Sequence, residues 1–145
     1  MSDIVTSSLD FEWRPVLQGA AVTAVCGTVA VLAFGRPGWL FPASVLGGAT
    51  AGLRGGYYSQ SATNGFVGVG LGLLAMLPAL FAFRATYLTA FPRAGSGAVE
   101  FVFLGSIGAM ADLALRGPMM LFLGYISGAL VARVKTAPEA SPRRG

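Results

Sequence analysis

Five apolar segments occupy most of this 145-residue chain, and in four of them small residues recur at four-residue intervals. An apolar run of about 20 residues is long enough to cross the roughly 30 Å hydrocarbon layer of a bilayer as a helix. Small residues four positions apart allow two helix backbones to approach closely in lipid. The pattern predicts an all-α integral membrane protein: a compact bundle of four to five transmembrane helices, some short, packed through small-xxx-small faces.

The amino-acid composition also indicates a membrane protein. Hydrophobic residues make up 54% of the chain and charged residues only 11%, whereas about a quarter of the residues in a soluble domain are charged. The chain has no histidine and one cysteine, Cys26, which removes histidine-based zinc or haem sites and any intrachain disulfide. We expect no cofactor and no metal. Nucleic acid is excluded as a partner because the sequence provides no basic face on a soluble domain.

The five segments form one predicted domain over residues 1–134. The first and third are long enough to span a bilayer, whereas the second contains Pro42 and is short enough to be a re-entrant half-helix instead. A polar loop is predicted over residues 57–64 and a disordered basic tail over 135–145. The segments are residues 15–34, 39–53, 65–83, 98–115 and 118–134.

The last two segments are predicted as a hairpin. One straight helix over residues 98–134 would be near 55 Å long, far more than the bilayer thickness. The triplet Arg116-Gly117-Pro118 is the expected break, because proline and glycine interrupt helices. With five spans, seven arginine and lysine residues fall on the side of the C-terminus and three on the other side. That bias favours an outside N-terminus and a cytoplasmic C-terminal tail; with four spans, both termini are cytoplasmic.

The small-residue stripes are the predicted helix contact faces. They serve either to pack helices within one chain or to join the chain to a second subunit. A sequence echo between residues 46–53 and 123–130 is compatible with an inverted repeat, because five spans would make these helices antiparallel. The stripe residues are Gly19, Thr23 and Gly27 in the first segment, Gly48, Gly52 and Gly56 in the second, Gly68 and Gly72 in the third, and Gly124 and Gly128 in the last.

Asp112 is the acidic residue that lies well inside an apolar segment. A carboxylate at membrane depth is energetically costly and therefore a functional candidate. Arg116 follows four residues later on the same helix face, so the two predict either a local ion pair or a proton or ion transport site. Glu100, Arg54 and Arg84 are interpreted as side chains that reach the interface.

The run Leu46-Gly47-Gly48-Ala49-Thr50-Ala51-Gly52-Leu53-Arg54-Gly55-Gly56 precedes a glycine-rich helix over residues 65–78. Together they resemble an uncharacterised haloarchaeal family of small glycine-rich integral membrane proteins, over about residues 13–83. The loop after Gly56 departs from that family's acidic pattern. The resemblance implies about four spans and no known activity.

These observations predict a non-catalytic, multi-pass protein of the cell membrane, in which nothing resembles a nucleophile paired with a base. Its expected role is an accessory or scaffold subunit of a homo-oligomer or a larger membrane complex. The expected partners are the lipid bilayer and either a second copy of the chain or another membrane protein. The alternative is a small transporter or channel that uses Asp112.

Overall fold

A computed structural model describes residues 12–35, 37–55, 58–89 and 98–136, and all of its regular structure is helical. The all-α prediction is therefore confirmed. The helices are α1 (Trp13–Phe34), a 3-10 turn (Pro37–Trp39), α2 (Leu40–Leu53), α3 (Tyr58–Ala75), α4 (Leu77–Thr89) and α5 (Ala98–Thr136).

The turn between α1 and α2 follows from its glycine. Gly35 has φ 59°, a left-handed conformation that glycine adopts without a steric penalty, and its N–H donates to the carbonyl of Val31. The chain then reverses, and the ring of Trp39 stacks on Phe34 with centroids 5.5 Å apart. These contacts end α1 and start α2 on the same side of the bundle.

Two central helices organise the bundle. α2 and α3 contact each other, and each also contacts α1 and α5; between the described parts of α1 and α5 no contact occurs. α4 packs mainly against α5. The apolar core lies where α1, α3, α4 and α5 converge, around Val31, Leu73, Met76, Leu80 and Met120.

α3 begins at Tyr58, so the predicted polar loop over residues 57–64 is wrong for residues 58–64. The polar side chains there are helix residues that face the bundle: Ser61 and Asn64 are fully buried.

α3 and α4 replace the single predicted segment at residues 65–83, since the helix breaks at Met76 and bends by 43°. Pro78 lies two residues after the break, and because it has no N–H it cannot continue the hydrogen-bond ladder.

The predicted break at Arg116-Gly117-Pro118 is wrong, because α5 continues through it for 39 residues. Pro118 is exposed, and Gly117 lacks the Cβ that a following proline disfavours in a helix. Contacts on both sides hold the helix together. α3 lies beside Leu113, Gly117, Pro118 and Leu121, and α4 lies beside Gly105 and Gly108.

The predicted basic tail also starts later than expected. Lys135 is still helical, and its Nζ donates to the carbonyl of Leu53 at 3.2 Å, which ties the end of α5 to the end of α2. The remainder of the predicted tail, residues 137–145, lies outside the described residues, as do Gly56 and residues 90–97.

Among the described residues, two helices are long and apolar enough to cross a membrane, within Trp13–Phe34 and Val102–Lys135. The bent pair formed by α3 and α4 makes a third if it counts as one span. α2 has 14 residues, which correspond to about 21 Å and fall short of the hydrocarbon thickness.

The predicted contact glycines all face other helices of the same chain. An added Cβ would come within 3.0 Å of a neighbouring atom at seven of the eight positions, and at 3.1 Å from the Val16 carbonyl at Gly68. Backbone atoms of a facing helix lie within 3.0 Å of the added Cβ at Gly19, Gly48, Gly52, Gly72 and Gly128, whereas at Gly27 the nearest atoms are the movable end of Met76. The seven positions are Gly19, Gly27, Gly48, Gly52, Gly72, Gly124 and Gly128.

The same contacts give the helix directions. Gly48 lies against Gly124 and Gly52 against Gly128, so α2 and α5 run parallel, with their two glycine stripes in register. The antiparallel orientation that an inverted repeat requires is therefore wrong. α1 and α2 run antiparallel, since Gly19 meets Ala51 and Gly27 meets Leu40.

We expect Gly72→Ala to destabilise the protein and Gly70→Ala, two residues away on α3, to leave it nearly unchanged. A Cβ at residue 72 would lie 2.6 Å from Cβ of Thr23 and 2.8 Å from the Ala20 carbonyl, whereas one at residue 70 would meet only the movable end of Leu121 at 3.3 Å. Overpacking should cost about 1–3 kcal/mol.

Both variants replace glycine by alanine inside one helix, so the difference between them isolates packing from helix propensity. Free energies of unfolding in detergent provide the measurement. Equal values for the two variants would contradict the assigned contact.

Candidate functional site

Asp112 is the buried carboxylate of α5, and its side chain is only 6% exposed. It lies on the helix face that turns toward α4. An isolated charge in this buried position would be costly to desolvate, so the carboxylate requires cationic partners. Two arginines supply them.

Arg84 of α4 binds Asp112 side-on. Its Nε donates to Oδ2 at 2.5 Å and its Nη2 donates to Oδ1 at 2.7 Å. This bidentate geometry fixes the orientation of both groups and is stronger than a single contact between neutral groups. Gly108 makes it possible, because a Cβ there would lie 3.3 Å from Cγ of Arg84. The absence of that Cβ lets the arginine stem lie along α5.

Arg116 reaches the same carboxylate from one turn later on α5, and its Nη1 donates to Oδ1. The predicted neighbours Asp112 and Arg116 are thus brought together, and Arg84 joins them. Asp112, Arg84 and Arg116, which we call the Asp112 cluster, carry a formal charge of +1. Both carboxylate oxygens accept hydrogen bonds, so the cluster acts as a clasp between α4 and α5.

Sequence reasoning missed the role of Arg84, which was interpreted as an interface marker. The sequence did carry an electrostatic indication, because a carboxylate in an apolar helix needs a cationic partner. A side-on arginine–carboxylate pair of this kind takes its arginine from a second helix. Arg54 lies away from this cluster, just after α2, and donates to Oε1 of Gln18 at 2.5 Å. Glu100 belongs to α5, but its side chain lies outside the described part.

A second polar region lies where α1 and α3 begin and α2 and α5 end. The Glu12 N–H donates to Oδ1 of Asn64 at 3.1 Å, joining the start of α1 to α3. Ser61 Oγ and Asn64 Nδ2 are buried and have no hydrogen-bond partner in the described part of the chain. Ser61 instead packs against Gly55 and Gly128, where an added Cβ would clash with its atoms. These contacts serve helix packing at this end of the bundle.

The described acidic side chains were compared with the arrangements that hold metal ions. Over residues 12–35, 37–55, 58–89 and 98–136, no group of three histidine, cysteine or acidic side chains is placed to hold an ion. Comparison of the chain with family models, with curated proteins and with solved structures gives no match. The site is therefore interpreted from its own geometry.

We expect Asp112→Leu to lower the free energy of unfolding by about 3 kcal/mol, because it leaves two arginines facing each other without their carboxylate. The triple variant Arg84→Met, Asp112→Leu, Arg116→Met should recover most of that loss, since it removes the charges together. Arg54→Met is the matched surface control and should change stability by less than about 1 kcal/mol. A triple variant no more stable than Asp112→Leu would contradict the assigned role of the cluster in joining α4 to α5.

Proposed function

We propose that the chain is a multi-pass protein that crosses the membrane four times, through α1, α2, the bent pair α3–α4, and α5. The helix directions support this arrangement. α1 and α2 are antiparallel, and α2 and α5 are parallel. α3 runs parallel to α1, because Gly68 lies against Val16 and Gly72 against Thr23. The chain therefore alternates in direction, and the short α2 is flanked by the longer helices α1 and α5.

An even number of crossings puts both termini on one side. Six basic residues belong to that side and four to the other: Arg14, Arg54, Arg133, Lys135, Arg143 and Arg144 against Arg36, Arg84, Arg93 and Arg116. Two of the four, Arg84 and Arg116, engage Asp112. The positive-inside rule then favours cytoplasmic termini, including the basic tail.

Cysteine labelling in cells tests this topology, because Cys26 is the single native cysteine. In a Cys26→Ala background, we expect Ser7→Cys and Ser141→Cys to be protected from an impermeant thiol reagent added outside. Gly38→Cys, in the turn between α1 and α2, should react with the reagent. Labelling of Ser7→Cys but not Ser141→Cys would instead support an odd number of spans.

Within the membrane, we propose a non-catalytic role as an accessory or scaffold subunit of a homo-oligomer or a larger complex. One observation carries this proposal: the small-residue faces are closed against the chain's own helices. Backbones meet at Gly48, Gly52, Gly124 and Gly128 without room for a Cβ. A solute path between these helices would require them to separate. Contacts with a second copy or another protein would therefore use the outer surface of the bundle.

That outer surface is apolar and rich in large side chains. On the half of α5 that precedes Asp112, Phe103, Ile107 and Met110 are at least half exposed. Because the glycine faces are occupied within the chain, a second copy or another membrane protein would contact this kind of surface. The resemblance to small haloarchaeal membrane proteins implies about four spans and no known activity, and it adds no catalytic residues.

Asp112 also motivates the alternative, a small transporter or channel. A carboxylate shared between two helices of a membrane protein is a recurring element of ion pathways. The bidentate contact to Arg84 and the second contact to Arg116 favour a structural use instead, because a transport carboxylate must release its partners.

Gentle extraction from the native membrane distinguishes these roles. We expect the tagged full chain to migrate as an oligomer or with a stoichiometric partner, and mass spectrometry of the complex identifies the composition. A monomer without protein partners would contradict the subunit proposal. In proteoliposomes, an ion flux that Asp112→Asn abolishes would support the transporter, provided that the variant retains the wild-type helical content by circular dichroism.

A further inference from the structure

The amide of Asn64 is satisfied at one end only. Its Oδ1 accepts the N–H of Glu12 at 3.1 Å. This bond sets the orientation of the amide, since the reversed amide would turn its NH2 group toward another N–H. Asn64 is fully buried, and its Nδ2 has no hydrogen-bond partner among the residues that the structure describes. A buried amide that keeps its donors unpaired lowers stability, so this group calls for an acceptor.

Ser61, one turn earlier on α3, is in the same position. Its side chain is fully buried, and its Oγ has no partner within the described ranges. The buried hydroxyl of Thr23 differs, because it donates to the carbonyl of Gly19 at 2.9 Å. Residues three positions apart lie on the same face of a helix, with Cβ atoms about 5–6 Å apart. One small molecule can therefore contact both Ser61 Oγ and Asn64 Nδ2.

Backbone from the end of α2 lies beside this pair. A Cβ built on Gly55, just after α2, would lie 2.4 Å from Ser61 Oγ. The last carbonyl groups of a helix have no acceptor role within that helix, so a helix end supplies hydrogen-bond acceptors. Amide donors, a hydroxyl that can donate or accept, and backbone carbonyls are the usual partners of a buried water molecule.

We propose that Ser61 and Asn64 hold one internal water molecule where α1 and α3 begin and α2 ends. The Asn64 amide donates to the oxygen of this water, and the Ser61 hydroxyl makes the second bond. A hydrogen of the water remains for a carbonyl at the end of α2. Water is favoured over an anion, because Arg54 and Lys135, two basic side chains at the end of α2, donate to other groups. The site does not depend on how the bundle is placed in a membrane.

Nuclear magnetic resonance can detect this water directly. Asn64 is the single asparagine of the chain, so isotope labelling of asparagine nitrogen gives one side-chain NH2 signal. For the full chain in detergent micelles, we expect cross-peaks between these NH2 protons and water that have opposite signs in NOE and ROE spectra. Opposite signs indicate dipolar contact with a bound water. Absent cross-peaks, or equal signs in both spectra, which indicate exchange with bulk water, would overturn the proposal.

Two serine variants of α3 test whether the water is shared. Ser61→Ala removes one of its partners, and one lost hydrogen bond lowers the affinity for the water roughly fivefold. The cross-peaks should therefore weaken but persist. Ser59→Ala, at an exposed position of the same helix, should leave them unchanged. Circular dichroism checks that both variants keep the wild-type helical content.

Two outcomes of Ser61→Ala contradict the bridge. Cross-peaks of unchanged intensity would show that Ser61 does not hold the water. Complete loss would assign the cross-peaks to the hydroxyl proton of Ser61 itself. A loss of equal size in Ser59→Ala would also overturn the proposal, because that side chain lies outside the site.

Discussion

The close approach of helix backbones is the constraint on which the rest of this structure depends. In the proposed membrane setting, burying apolar side chains gives helices little reason to associate, so stability must come from dispersion and weak polar contacts at short range. The contacts of α2 and α3 with α5 meet this requirement by placing glycine against glycine or against a backbone carbonyl. Once these helices are joined, α1 packs against both α2 and α3.

The Asp112 cluster has a different role, which is to orient α4 against α5. α4 leaves the bundle at the bend after Met76 and has few neighbours apart from α5. Directional hydrogen bonds between charged groups fix the rotation of α4 about its axis, which apolar contacts do not do as sharply. The glycine contacts and the ion cluster thus divide α5 into two functional halves, one bound to the α2–α3 side and one bound to α4.

Sequence reasoning could identify what depends on local composition. The apolar lengths predicted helices, the spacing of glycines predicted contact positions, and Asp112 with Arg116 followed from the separation of one turn. It failed where packing overrides a local signal. Pro118 and the polar residues after Tyr58 are typical of breaks and loops, but each lies on a helix held by its neighbours. Arg84 was not recognisable as a partner, because pairing it with Asp112 requires knowing that α4 and α5 touch.

The break after α3 and the Pro118 turn of α5 border the same groove. Leu73 and Leu74, just before the break at Met76, line it together with Gly117 and Pro118 of α5. Proline has no N–H to donate, so α4 at Pro78 and α5 at Pro118 each lack one helical hydrogen bond. The Asp112 cluster joins α4 to the part of α5 just before Pro118. A displacement of α4 would therefore act on α5 close to its missing hydrogen bond.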